Sequence, residues 1–467
     1  TDLLSNFNGT FEVGANNLTS SESNNFGKNV YLVIDNRGMM TVERDFTAYR
    51  GLTVNNVHML SDGGSLNAID GDIEIRGILV GSDGDVNINA NNIVVADVRR
   101  VTDLNLNAGE SITLAGRIDV DNIMNIQNAD VKLNNAVVIA KNRLEAQNIV
   151  SVIGLNGIAA GEYVVNNITG ASGANLILAV NVDGHFDSES VGGSGSANKV
   201  KIDSVNGISL GILNGSFEIV NANIHDLVNS GDLYIQSADL TGSLNSAGKL
   251  KIDDFSVSGN GKQRINAGTN SYFGNVNMNK NGGRVDVLDD MTVHGNFNFA
   301  DGAKGIFNVG DNSLMIEGQI RGGSFESYFG TGADGWIKTN VDSGDTTMWI
   351  GNDNGSSRVI MSSASGERGV VGVNTYNPLT DNGRPDGWRL LDPSRVINRS
   401  WRFDKSFDGA VSVDLMADPK EIGAHAENAT LFQLGTYSWD RVAQSNNRYQ
   451  INSNSPVAFG MDSYSFA

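Results

Sequence analysis

A chain of 467 residues with 53 acidic against 33 basic side chains carries a formal charge of −20 and a pI near 4.6, which disfavours nucleic acid and anionic membrane surfaces as partners by simple repulsion. It has no cysteine, which removes disulfides, thiolate metal sites and cysteine nucleophiles together. Hydrophobic residues at 40%, aromatics at only 7%, 56 Gly and about one Asn in eight residues describe a turn-rich chain of thin ordered layers, with no apolar run long enough to span a bilayer.

The chain starts at Thr1 rather than Met, which fits a mature secreted protein and equally a trimmed chain. Residues 1–27 read as an N-terminal cap or exchange segment. Leu3, Leu4, Phe7 and Phe11 are its assembly candidates, able to cover a neighbouring strand edge.

Residues 28–325 read as a parallel β-helix, a β-solenoid. Between residues 66 and 148 the segments Leu66-Asn67-Ala68, Val86-Asn87-Ile88, Leu104-Asn105-Leu106, Met124-Asn125-Ile126 and Leu144-Glu145-Ala146 recur with a period of about 20 residues. Second and third short strands follow in most turns, such as Ile112 to Leu114 and Ile118 to Val120. A side-chain period of two sends Leu66, Val86, Leu104, Met124 and Leu144 inward, one above another. It turns Asn67, Asn87, Asn105 and Asn125 outward as an amide ladder or as a plain soluble face. The pattern continues less regularly from 200 to 320, after a Gly/Ser-rich interruption near Val191 to Asn198. About 300 residues at about 20 per turn make about 15 turns, a rod on the order of 70 Å.

All five Pro (378, 385, 393, 419, 456) and all five Trp (336, 349, 388, 401, 439) lie beyond residue 335. A continuous sheet ladder excludes Pro because it needs every N–H, and a narrow core excludes Trp. The stretch LNLNAGESITLAGRIDVDN from Leu104 resembles the repeats of filamentous haemagglutinin-type secreted bacterial β-helix adhesins, over about residues 60–160. Trp349-Ile350-Gly351, the run from Gly369 to Val373, and Val396 to Trp401 resemble the C-terminal region of bacterial cell-surface and gliding-associated proteins.

Residues 326–467 alternate as an antiparallel β-sandwich, with Val411 to Leu415 and Thr430 to Leu434 as clear strands. The last strand, with Val457 and Phe459, closes its own sheet or adds to a neighbour's edge as a second assembly element.

The five His are far apart and without metalloprotease spacing; only His225 has an adjacent carboxylate, Asp226. No phosphate loop or serine elbow is present. The enzymatic alternative is a polysaccharide lyase built on Asp119, Asp121 and Asp130, which also read as solvated corners. Calcium is the one cofactor the acidic turns admit, through Asp83, Asp85 and Asp353, though none matches a known calcium-loop spacing. Seven N-x-S/T sequons leave glycosylation open. The exposed aromatics of a sugar platform would be sought among the Trp, with Trp388 in the turn Asp386-Gly387-Trp388 as the ligand-binding candidate.

The expectation is therefore a non-enzymatic extracellular or cell-surface protein, the self-assembling subunit of a filament, sheath, surface layer or biofilm matrix. It would be a homo-polymer with no nucleic acid partner. The alternative is an adhesin that binds carbohydrate or another surface.

Overall fold

A computed structural model describes residues 8–12, 18–20, 24–26, 29–170, 175–180, 200–213, 216–382, 386–388, 393–422, 424, 429–434, 439–445 and 448–460. The protein is all-β, 74% strand, with two single 3-10 turns at Pro393–Arg395 and Pro419–Glu421 and a β-solenoid of about 14 turns. Among the described residues no helix is long and apolar enough to cross a membrane. The chain divides into two compact units, Thr1–Gln236 and Ser237–Ala467.

In the first unit, three short strands make each turn, and each lies parallel to its counterpart one turn on. Asn8–Glu12 pairs with Asn29 to Val33, Leu18–Ser20 with Met40 to Val42, and Asn24–Phe26 with Phe46 to Ala48. From Asn8 onward, the segment read as an N-terminal cap or exchange segment pairs in the same parallel ladder, with Phe11 opposite Leu32. Leu3, Leu4 and Phe7 lie outside the described residues.

The anchors Leu66, Val86, Leu104, Met124 and Leu144 are all buried, none above 2% exposed. Leu104, Met124 and Leu144 stack as expected. Leu66 does not stack on Val86: it pairs with Ile88, while Gly64 pairs with Val86. The step there is 22 residues, two more than the 20 separating Leu66 from Val86, and a slip of two keeps every side chain on its own face while changing its vertical neighbour. Burial therefore matches the expectation where the stacking does not.

Aliphatic residues fill the narrow interior, as where Ile112 and Leu114 lie under Val131 and Leu133. Phe46, Tyr163 and Phe217 are larger residues among them, and the buried hydroxyl of Tyr163 is retained by bonding: it donates to Ile158 O at 2.9 Å and accepts from Ala160 N at 3.2 Å. Burial pushes its pKa far above the usual range.

The second unit uses the same parallel grammar with aromatic filling. Val276 and Met278 pair with Phe297 and Phe299, and Val285, Phe307 and Phe329 stack in turn. Phe297 lies 4.9 Å from Phe307 and 4.7 Å from Phe329, both edge to face, the arrangement the ring quadrupole favours.

Two strands convert parallel pairing to antiparallel. Trp336–Val341 pairs parallel to Ser313–Ile316 on one side and antiparallel to Gly369–Tyr376 on the other. Thr346–Asn352 does the same between Ser327–Gly330 and Gly355–Ser363. From the first, an antiparallel ladder continues through Gly369–Tyr376, Val396–Lys405, Val457–Gly460, Thr430–Leu434 and Trp439–Arg441. From the second, another runs through Gly355–Ser363, Val411–Ala417, Arg448–Ile451 and Gln444–Ser445.

Side chains tie these ladders together: Trp401 Nε1 donates to Ser357 Oγ at 2.9 Å, and Tyr449 meets Phe459 with ring centroids 5.6 Å apart. Each ladder ends on a strand of two or three residues that exposes polar side chains, Asp440 and Arg441 in one and Gln444 and Ser445 in the other, a common way of blunting a sheet edge.

Val457 and Phe459, read above as closing their own sheet or adding to a neighbour's edge, take the first role and sit in an interior strand. Val457–Gly460 is flanked by Val396–Lys405 and Thr430–Leu434, and both side chains are buried. With both edges occupied, this strand has no bonds left to offer a neighbour.

Candidate functional site

Along residues 65–128 the first unit carries outward-facing amides in register from turn to turn. Because each strand repeats one turn later, an outward Asn meets another outward polar residue directly above it. Asn105 Nδ2 donates to Asn87 Oδ1 at 3.0 Å, while Asn89 reaches Asn67 at 2.8 Å, Asn107 reaches Asn89 at 3.3 Å and Asn128 reaches Asn107 at 2.8 Å. The face thus holds two columns, Ser65, Asn87, Asn105, Asn125 and Asn67, Asn89, Asn107, Gln127. A single ladder through Asn67, Asn87, Asn105 and Asn125 was expected. Asn67 belongs to the second column, for the same two-residue reason that displaces Leu66. The repeated Asn-x-Asn of 87–89 and 105–107 is the signal that marks the second column.

A third column runs along another strand. Asn92 donates to Asp72 at 3.0 Å, Ser111 to Asn92 at 2.7 Å, Asn148 to Asp130 at 2.8 Å, and Asn167 to Asn148 at 3.0 Å. At a corner, Asn142 donates to Asn122 at 2.6 Å and Asn122 to Asp103 at 2.7 Å. In all of these the donor points toward the lower-numbered turn. Several runs start on an aspartate, because a carboxylate accepts without donating. Such aligned bonds polarise one another.

The two Asn columns line a trough of ≈ 470 Å³ that includes Asp45, Ser65, Asn87, Asn105 and Asn125. A second hollow of ≈ 380 Å³, lined by Glu145, Gln147 and Val164, shares Asn125 and Gln127 with it. In the second unit a cleft of ≈ 770 Å³ is lined by Glu317, Asp342, Asp345 and Arg368. Its carboxylates are occupied: Glu317 by His294 at 2.9 Å, Asp345 by Arg448 at 2.5 and 2.7 Å, and Asp342 by Gly344 N at 2.7 Å. The hydrogen bonds from Arg448 hold the Asp345 carboxyl below its ordinary range.

The proposed calcium ligands do not converge. Asp83 forms a bidentate pair with Arg100 at 3.2 and 2.7 Å, and Asp353 pairs with Arg284 at 2.8 and 2.9 Å. Asp85 stacks between Asp62 and Asp103 through backbone N–H bonds of 2.8 and 3.2 Å. Burial and then the two neighbouring carboxylates raise its pKa. Among the described residues no three acidic or His side chains are grouped to hold a metal ion.

The lyase candidates are likewise partnered: Asp119 faces Arg117 at 3.4 Å, Asp121 pairs with Lys141, and Asp130 accepts from Asn148. His225 and Asp226 come within 3.8 Å, both exposed. An extra residue opposite Ser209 lets two consecutive side chains face outward there. Trp388, the ligand-binding candidate, is 83% exposed. Its turn is held at the base, with Trp388 N donating to Asp381 Oδ1 and Asp381 N to Trp388 O, both 2.9 Å, and Trp439 Nε1 to Asp381 O at 2.8 Å.

The fold and these faces define an all-β solenoid protein. No family model matches the chain, and no curated protein or solved structure matches it.

Proposed function

We propose that this protein is a non-enzymatic extracellular structural element, the subunit of a filament, sheath or matrix, in which the C-terminal antiparallel ladders form a β-sandwich that closes one end of the solenoid. The carrying observation is the repeating parallel ladder of the first unit, in which each strand pairs with its counterpart one turn on, an arrangement that extends by adding like turns and suits a building element. The C-terminal ladders finish on edge strands of three and two residues, which blunt a sheet edge. The resemblance to secreted β-helix adhesins supports the same setting.

Negative-stain microscopy with sedimentation velocity tests this reading. Ordered fibres or end-to-end oligomers are expected as concentration rises, and monomers persisting across concentration and calcium would overturn it.

The second reading, an adhesin that binds carbohydrate, is favoured by Trp388, a large aromatic exposed to solvent whose backbone is bonded to Asp381, as stacking on a sugar ring requires. Retention on immobilised glycans that Trp388→Ala abolishes would support it.

A further inference from the structure

The trough on the first unit has a composition at odds with the rest of the chain. In a protein of net charge −20, its central turns are uncharged, with Asn87, Asn89, Asn105 and Asn107 lining it and charge confined to Asp45 and Glu145 toward its ends. Each Asn amide has two N–H donors and two acceptor lone pairs. A ladder bond such as Asn105 to Asn87, or Asn107 to Asn89, uses one N–H of the donor and one lone pair of the acceptor. Asn89 and Asn107, which each donate one such bond and accept one, therefore each retain one N–H and one lone pair for a ligand, in an orientation already set by the ladder. That pre-organisation lowers the cost of ordering the site on binding.

The remaining groups form a lattice. Turns repeat at about 4.8 Å, and the two columns, two residues apart on each strand, are separated by about 6.7 Å. The column Asp45, Ser65, Asn87, Asn105, Asn125, Glu145, Val164 spans six turn-to-turn steps, about 29 Å.

We infer that this trough binds an uncharged, linear polyhydroxylated polymer, a neutral polysaccharide chain laid along the solenoid axis. A hydroxyl both donates and accepts, which matches the one donor and one acceptor that Asn89 and Asn107 each retain. The repeat of the lattice is on the scale of one sugar ring. A polyanion is opposed by the net charge, and a hydrophobic ligand would leave the amides unpaired. The trough is separate from Trp388 and does not depend on polymerisation, so the test is made on unassembled protein.

Isothermal titration with neutral β-linked glucose and N-acetylglucosamine oligomers of two, four and six units, with polygalacturonate as the anionic control, reads the site directly. Affinity is expected to rise with length up to about six units, one per turn step, and polygalacturonate is expected not to bind. The double variant Asn105→Ala, Asn107→Ala should weaken binding of the longest ligand at least tenfold. Asn148→Ala with Asn167→Ala, which removes equivalent ladder bonds outside the trough, should leave it within twofold. Should the alanine pair fail to fold, Asn105→Val with Asn107→Val supplies strand-favouring residues and the same loss of hydrogen bonding. The inference is overturned if no neutral oligomer binds, if affinity is independent of length, or if both double variants lose binding equally. It is also overturned if the trough variants abolish only self-association, which would make the occupant a second copy of the chain.

Discussion

The two kinds of sheet in this protein satisfy their polar side chains in opposite ways. In the solenoid turns, a polar side chain faces outward and bonds to a near-copy of itself one turn back, as Asn105 does to Asn87 across 18 residues. In the antiparallel region, partners are unlike and distant, as with Arg448 and Asp345, 103 residues apart. The most committed of these lie inside: Arg399 is fully buried, its guanidinium donating to Glu421, to Thr375 Oγ1 at 2.9 Å and to Gly355 O at 2.8 Å. Repetition spreads stability over many weak, interchangeable bonds, while the antiparallel region concentrates it in a few irreplaceable ones.

The sharpest break of that contrast is at Arg399. Arg399→Ala leaves the Glu421 carboxylate buried with Asn377 as its remaining side-chain donor, and removing one partner of a buried pair costs about 3–5 kcal/mol. Urea unfolding should show that loss, while Arg399→Met with Glu421→Leu recovers most of it. A loss under 1 kcal/mol in the single variant would show that the ion pair is not what holds this region.

Next in size is the aromatic packing of the second unit. Phe297 touches Phe299, Phe307 and Phe329, and Phe297→Ala should cost about 3–5 kcal/mol through lost burial and the cavity left behind. Phe297→Leu should recover more than half of this. Equal losses for Ala and Leu would show that ring geometry, rather than filled volume, is the stabilising factor.

Some solenoid polar groups turn inward, among them Asn156, Gln263 and Lys280, and pH sharpens the case of Lys280. It is fully buried, with Nζ donating to Gly261 O at 2.8 Å and Gln263 Oε1 at 2.6 Å, and burial lowers its pKa from the usual 10.5. Between that lowered value and 10.5, the unfolded chain holds a proton the folded chain has released. Stability from this residue therefore rises with pH across the window, by at most about 1.4 kcal/mol per pH unit, and levels off above it. Lys280→Met should remove that rise from a series of denaturant midpoints, and superimposable profiles would refute it.

The same contrast explains how much the sequence reveals. The solenoid is legible because repetition writes one rule many times: Leu104, Met124 and Leu144 announce the inward column, and Pro and Trp are missing for as long as the rule holds. The two-residue displacement of Leu66 is not legible, since an even slip changes no side chain's face. The pair Arg399 and Glu421 left no trace, because nothing repeats around either residue. The pairing of the terminal strands is not legible for a related reason: apolar alternation at Phe11 or Val457 marks a strand, but which edge it pairs with depends on residues far away. Trp388 was found as a candidate from residue type alone, while its exposure depends on the turn that Asp381 ties.

The smallest effect belongs to the amide columns, and it tests their polarity. Asn105→Ala removes one ladder bond on a half-exposed face, worth about 1 kcal/mol. Asn105→Asp is nearly isosteric and would be the milder change if the columns were only a soluble face. In a directed column it is the worse one. Asn105 donates to Asn87 Oδ1, and a carboxylate at that position offers no donor and sets oxygen against oxygen. The opposite substitution at the head of a run, Asp103→Asn, keeps an acceptor for Asn122 Nδ2 and for Ile123 N, at 2.7 and 2.9 Å, and should cost less than Asn105→Asp. Thermal unfolding of the three variants ranks them directly, and Asn105→Asp as stable as the parent protein would show that the columns carry no direction.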